Sequence, residues 1–296
     1  MLSAAILSCC LLGQQQIGKI INPGQHPQVL VQGFKFTEGP VWSPNGELIW
    51  SDILGDSLYV LKQGKAEIFK KPSQRSIGNT FDNEGRLISC QQVTHSVVRY
   101  EKDGTTIVLA DKFEGKRLNH PDDVIVRSDG TIYFTDPSFA LSAADKALPF
   151  DGVYRISTDG KLTLLLKNYS RPNGLAFSPD EKRLYVNDTF RRLIFSYDVS
   201  PQGELSNEHL FAILTGDLAG LPNGMKTDIE GNVYCTGPGG IQVFQPDGKY
   251  MGLIYMKEVV SNFCFGDSDR KTLYITAGPS VFKLRVKIAG SKPPFH

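Results

Sequence analysis

The chain has 296 residues, 41% hydrophobic and 21% charged, a composition that supports a large buried core and excludes a disordered chain. Thirty-two basic residues stand against 31 acidic ones, so the net charge is +1, and no run of like charges offers a surface for nucleic acid. That balance suits small, neutral or modestly charged ligands.

Residues 2–12 are uncharged and largely apolar, with no Lys or Arg ahead of them. They fit either the apolar core of a signal peptide or a plain N-terminal lead, and they are shorter than the ~20 residues a membrane helix needs. Residues 1–16 are therefore set apart as lead or signal segment, and cytoplasmic and exported locations both stay open. Residues 17–296 are read as one domain. Five cysteines (Cys9, Cys10, Cys90, Cys235, Cys264) match neither a zinc pattern nor a disulfide framework and are read as free thiols.

Beyond the lead, a turn followed by a β-rich run recurs six times: SPNGELIWSD from Ser43, DNEGRLISC from Asp82, RSDGTIYFTD from Arg127, SPDEKRLYVND from Ser178, DIEGNVYCTG from Asp228 and GDSDRKTLYITAG from Gly266. The copies lie roughly 40 to 50 residues apart, the period of a propeller blade. Each is followed by a second β-like run, and Asn45-Gly46, Asp103-Gly104, Asp129-Gly130, Asp159-Gly160 and Asp247-Gly248 supply hairpin turns. The pattern predicts an all-β, six-bladed propeller of about four strands per blade, closed radially so that no long sheet edge stays exposed. A long loop is expected between Pro137 and Pro149.

Upstream of each turn stands a second recurring element: EGPVW at Glu38, GNTF at Gly78, PDDVIV at Pro121, PNGLAF at Pro172, PNGMKTD at Pro222 and SNFCF at Ser261. These open the blades, and the first strand of a blade lines the central channel. Counting back from the β-rich runs puts Glu38, Asp122, Asn173, Asn223 and Asn262 at one level, with Asn79 beside the shorter second copy. Carboxylate and carboxamide oxygens converging from separate strands suit a hard cation, calcium first. The ring has no His or Cys, so softer metals fit less well. Taken singly, each motif is also an ordinary turn sequence, and its repetition at one register is what points to a cation.

At EGPVW, PDDVIV with FTDP, RPNGLAFSPD and LPNGM, in order along the chain, the sequence resembles the SMP-30/gluconolactonase/LRE family of metal-dependent lactonases. The likeness runs from about Phe36 to Ala277. The resemblance implies a lactonase for a sugar lactone such as a glucono-lactone, a small-molecule substrate, and one divalent cation: calcium, with magnesium, manganese or zinc as alternatives. It implies metal ligands at Glu38, Asn173 and Asn223. At the last of these the family carries an Asp that also serves as general base, whereas this chain has Asn. At Asp122 the family commonly has Asn, so a carboxylate has moved across the ring. Asp122 is accordingly read as metal ligand and catalytic base, with Asp123 as second candidate. His120 stands where the family often places a substrate-contacting Arg, and it is read as substrate-binding with Asn119 and Arg117 of the same loop. After Cys90 many relatives carry His where this chain has Gln92; His95 is nearby but out of register. Asp52, Asp136 and Asp188, at strand ends, are read as structural. A different ester hydrolase, aryl-esterase-like or phosphotriesterase-like, and a non-catalytic binding propeller are the rival readings.

Overall fold

The structure is a computed structural model that describes residues 16–293. Residues 1–15, most of the lead and including Cys9 and Cys10, lie outside the described residues.

Six four-stranded antiparallel sheets follow one another around a ring. Their innermost strands are Thr37–Trp42, Ser76–Phe81, Val124–Val126, Pro172–Phe177, Met225–Thr227 and Val260–Gly266, and each blade runs outward from there in chain order. Closure comes from the N-terminal side. Gln28–Gln32 pairs with Ser280–Arg285 and supplies the outermost strand of the sixth blade, which the repeat pattern alone does not reveal. A two-stranded hairpin, Lys112–Phe113 with Lys116–Arg117, precedes the third blade. The expected long loop occupies the gap between Ile132–Asp136 and Gly152–Ile156.

The apolar core is divided into six parts, each lying between two neighbouring blades. Strand periodicity produces this division. Along Leu48–Asp52, Leu48 and Trp50 pack toward the sixth blade, whereas Ile49 packs toward the second. Both faces of such a strand are buried, so Leu48–Asp52, Leu87–Gln91, Ile132–Asp136 and Val233–Gly237 are buried throughout and read as near-continuous apolar runs. The outermost strands, such as Lys65–Lys70, meet water and carry charges.

At the head of the channel the neighbouring blades are joined by polar contacts. Ser51 Oγ donates to Ile77 O (2.8 Å), Asn187 Nδ2 to Asn223 O (2.6 Å) and Ser261 Oγ to Thr37 O (2.8 Å). Gly78 N donates to Asp122 O (2.8 Å) and Gly224 N to Ser261 O (3.0 Å). Such close backbone approach leaves no room for a side chain: a Cβ on Gly174 would lie 2.0 Å from Asn223 O. Gly174→Ala should therefore destabilise the protein by about 2 kcal/mol or more, the cost of overpacking where backbone must move. Gly64→Ala, facing open space, should cost only the left-handed backbone strain, about 1 kcal/mol. Urea unfolding of both variants checks this; equal midpoints would show that the channel head is slack.

Candidate metal centre

Four of the six innermost strands, those of the first, second, fourth and sixth blades, carry a bulge near their start. Cross-strand register identifies the equivalent positions. Leu48, Ile132, Leu184 and Val233 pair with Trp42, Val126, Phe177 and Thr227, each four residues beyond Glu38, Asp122, Asn173 and Asn223. Four blades therefore place an oxygen-bearing side chain at one level, and Ile77 holds that position in the second blade.

The sixth blade corrects the sequence count. Leu273 pairs with Phe265, which puts Ser261 rather than Asn262 in the ring. The blade-to-blade bond from Gly224 N to Ser261 O, the counterpart of Gly78 N to Asp122 O, fixes the same register. The hairpin is one residue longer in the fourth blade and two longer in the sixth than in the first, and counting along the chain misses the second extra residue. Asn262 falls at the next position, where four blades have Gly39, Gly78, Gly174 and Gly224, and the third has Asp123. The two non-glycine residues behave alike: Asp123 Oδ1 accepts from Val124 N (3.1 Å) and Asn262 Oδ1 from Phe263 N (2.9 Å).

Three ring oxygens, Glu38 Oε1, Asn173 Oδ1 and Asn223 Oδ1, are buried without any hydrogen-bond partner, as is Asp123 Oδ2 just below them. The second Glu38 oxygen accepts from Gly39 N (2.5 Å). Burial, more than any neighbour, pushes the Glu38 carboxyl up to about 7; the Asp123 charge adds to this, and Gly39 N, the Asn262 amide and Lys226 oppose it. Asp122 is driven well above the usual carboxylate range by burial first, then by the charges of Glu38, Asp123 and Asp136. Asp123 is raised by burial and held back chiefly by Lys226. The Lys226 ammonium lies 4.0 Å from Asp123 Oδ2, an ion pair too long to be a hydrogen bond, donates to Met225 O (3.0 Å) and sits 6.0 Å over the Phe263 ring.

Orphaned oxygens on separate blades fit a hard cation, which accepts carboxylate and neutral carbonyl ligands together. Two of the three are carboxamides, so among the described residues no cluster of three His, Cys, Asp or Glu ligands forms. Glu38, Asn173 and Asn223 would hold the ion, with Asp122 at the same level.

The mouth above the ring is built from loops. Asp52, Asp136 and Asp188 tie these down, as the sequence suggested: Asp52 accepts from Lys35 N and Phe36 N, Asp136 from Asn119 N, and Asp188 from Ser170 N. Asn119 is fully buried and its amide is spent on Asp136 O and Phe150 O, so its side chain anchors the loop. Arg117 is exposed and donates to Asp145 O (2.7 Å). His120 donates from Nδ1 to Phe139 O (2.6 Å), and burial lowers its proton affinity. His95, out of register in sequence, does come to this place: its ring lies 4.8 Å from that of His120 and its Nδ1 contacts Asn119 O. Gln92 Nε2 is 3.3 Å from His120 Nδ1. Arg171, Phe139 and Phe190, which sequence reasoning passed over, gather at the same rim. Arg171 immediately precedes the P-N-G motif, and that adjacency was the available signal.

The description SMP-30/gluconolactonase/LRE-like region matches residues 36–278. The chain belongs to that family. A gluconolactonase of Zymomonas mobilis is 33% identical over 306 residues, covering 93% of this chain and 85% of its own. A gluconolactonase of Xanthomonas campestris superposes with a TM-score of 0.83 at 31% identity, over 92% of each chain. Regucalcin of Agrobacterium tumefaciens, a calcium-binding protein, superposes with a TM-score of 0.74 at 19% identity, over 92% of this chain and 97% of its own; at that identity it speaks for the propeller fold. Among the described residues no helix is long and apolar enough to cross a membrane.

The raised carboxyls give this family member a pH signature. A folded-state value of about 7 against an ordinary 4.5 means that the metal-free fold holds the Glu38 proton between those limits, so stability is full below 4.5 and falls as pH rises through about 7. Asp122 and Asp123 shift in the same direction. Metal-stripped protein should melt higher at pH 5 than at pH 8, and calcium should restore stability at pH 8. Differential scanning calorimetry decides; a melting point that rises with pH would contradict the unpartnered state of these groups.

Proposed function

We propose that the protein hydrolyses a sugar lactone of the glucono-lactone kind at a divalent cation, calcium, held by Glu38, Asn173 and Asn223, with Asp122 as ligand and general base. The observation that carries this reading is the set of buried, unpartnered oxygens that three blades present at one level. The gluconolactonase relative at 33% identity supports the substrate class, and the calcium-binding regucalcin neighbour supports the choice of ion.

When bound, the cation supplies Lewis-acid polarisation of the lactone carbonyl. The residues of the chain do the rest. Gly39 N fixes one Glu38 oxygen and leaves the other for the ion. No described residue donates a hydrogen bond to the Asp122 carboxylate, and its burial gives it the high proton affinity a base requires. It takes a proton from water as the water oxygen adds to the lactone carbon; the ring C–O bond then breaks and the proton passes to the departing alkoxide, leaving a hydroxy acid. Asp123, bonded to Val124 N and facing Lys226, stays fixed beneath the ring as the alternative base. The relocated carboxylate thus keeps two negative ring side chains, Glu38 and Asp122, against a dication.

Metal-stripped protein assayed on D-glucono-δ-lactone with and without calcium, magnesium, manganese or zinc tests the reading. Turnover should require the ion, with calcium most effective. Glu38→Gln should weaken calcium binding and abolish most activity, and Asp122→Asn should lower kcat by about 10² to 10⁴, the usual worth of a general base. Unchanged affinity and turnover in Asp122→Asn, with both improved in Asn223→Asp, would defeat the relocated-carboxylate reading. Tight calcium binding with no turnover would favour a binding propeller.

A further inference from the structure

The rim between the third and fourth blades holds a guanidinium fixed far more firmly than an arginine at a loop mouth requires. Arg171 Nη1 donates to Asp151 Oδ2 (2.8 Å) and to Ser170 O (2.8 Å), and Asp151 is itself buried and paired with Lys146 (2.6 Å). The guanidinium carbon lies 5.1 Å from the Phe190 ring centroid and 6.0 Å from that of Phe139, and the two rings meet edge to face at 6.2 Å. With one nitrogen anchored and the plane held by two rings, the remaining donors are pre-aimed. Nε is buried with no partner, although a buried donor left unmade costs about 1 to 3 kcal/mol. Two residues on stands Asn173, whose Oδ1 is also unpartnered.

Phe139 joins this group to His120. Its ring faces Arg171 while its carbonyl accepts from His120 Nδ1, so the neutral imidazole presents Nε2 as an acceptor. The rim thus offers fixed N–H donors, a ring-nitrogen acceptor and an aromatic edge, with Phe190 59% exposed. Hydroxyl groups need both donors and acceptors, and the C–H faces of a polyol pack against aromatic rings. An apolar lactone would bury these polar groups unmatched.

We infer that Arg171, held by Asp151, Phe139 and Phe190, is a specificity-determining residue that takes the hydroxyl groups of a polyhydroxylated lactone and discriminates against unsubstituted ones. The inference rests on the lactonase reading above and narrows its substrate class. The orientation follows: carbonyl toward Asn173, hydroxylated carbons toward the rim.

Calcium-loaded wild type, Arg171→Met, Arg171→Lys and Phe190→Leu are compared on D-glucono-δ-lactone and on δ-valerolactone, which has no hydroxyl groups. Arg171→Met should lose about 10- to 100-fold in kcat/KM on the gluconolactone, mostly through KM, the worth of hydrogen bonds from a charged donor. On δ-valerolactone it should stay within about threefold of wild type, with calcium affinity unchanged. Arg171→Lys should rescue poorly, since an ammonium lacks the planar fork. Phe190→Leu, at an exposed ring that leaves the fold intact, should give a smaller loss of the same selectivity. Equal losses on both substrates, weaker calcium binding, or no loss at all would overturn the assignment. Calorimetric binding of D-gluconate separates the two readings. If wild type hydrolyses neither lactone, the lactonase proposal fails; weaker gluconate binding in Arg171→Met still supports the role of Arg171, and equal binding overturns it.

Discussion

Buried oxygen without a partner is the constraint on which the channel head depends. Glu38, Asn173 and Asn223 each turn an oxygen into a space closed by neighbouring blades, where neither backbone nor side chain supplies a donor. Desolvating such groups costs several kcal/mol unless something meets them. Much of the surrounding donor capacity is directed elsewhere. The backbone N–H groups of Gly78 and Gly224 bind the carbonyls of the next blade, and the hydroxyls of Ser51 and Ser261 and the amide of Asn187 do the same. The chain thus uses its own hydrogen bonds to close the ring and leaves the ring side chains for a ligand.

Closure and site are consequently one design. Glycine at Gly39, Gly78, Gly174 and Gly224 lets each blade press its backbone against the next, and this pressing sets the distance between ring side chains on adjacent blades. Two blades depart from glycine, and each departure serves the ring. The Asn262 amide supports the Glu38 carboxylate, and Asp123 brings a second carboxylate beneath Asp122. A substitution at a ring glycine would therefore move ring side chains it never touches.

The fold was legible in the sequence because each blade repeats the same local decisions: a turn, a fully buried second strand, an amphipathic outer strand. The ring was legible for the same reason, since Glu38, Asp122 and Asn223 recur at a fixed count from those strands and Asn173 departs from it by a single extra residue. What failed depended on information that is not local. Asn262 was misplaced because the sixth hairpin carries two extra residues, which become visible when Leu273 is seen opposite Phe265. The closing strand Gln28–Gln32 pairs with the far end of the chain and carries no repeat signature. Arg171, Phe139 and Phe190 come from three loops of two blades, and nothing in any one loop announces the others. His95 lay out of register yet reaches His120.

On the proposed reading, charge accounts for the exchange of Asn and Asp across the ring. Glu38, Asp122 and Asp123 would place three negative charges in a space shielded from water, and burial raises the proton affinity of each in the metal-free state. Lys226 stands against Asp123 from the channel side and offsets one of the three. Two remain, Glu38 and Asp122, which is the charge a dication neutralises. An Asp at position 223 in addition to Asp122 would leave the site one charge in excess, with no second ammonium at hand among the described groups of the ring. Proton release from Glu38 and Asp122 and capture of the cation are on this view the same event, because groups this close titrate as a unit and a dication displaces their protons together.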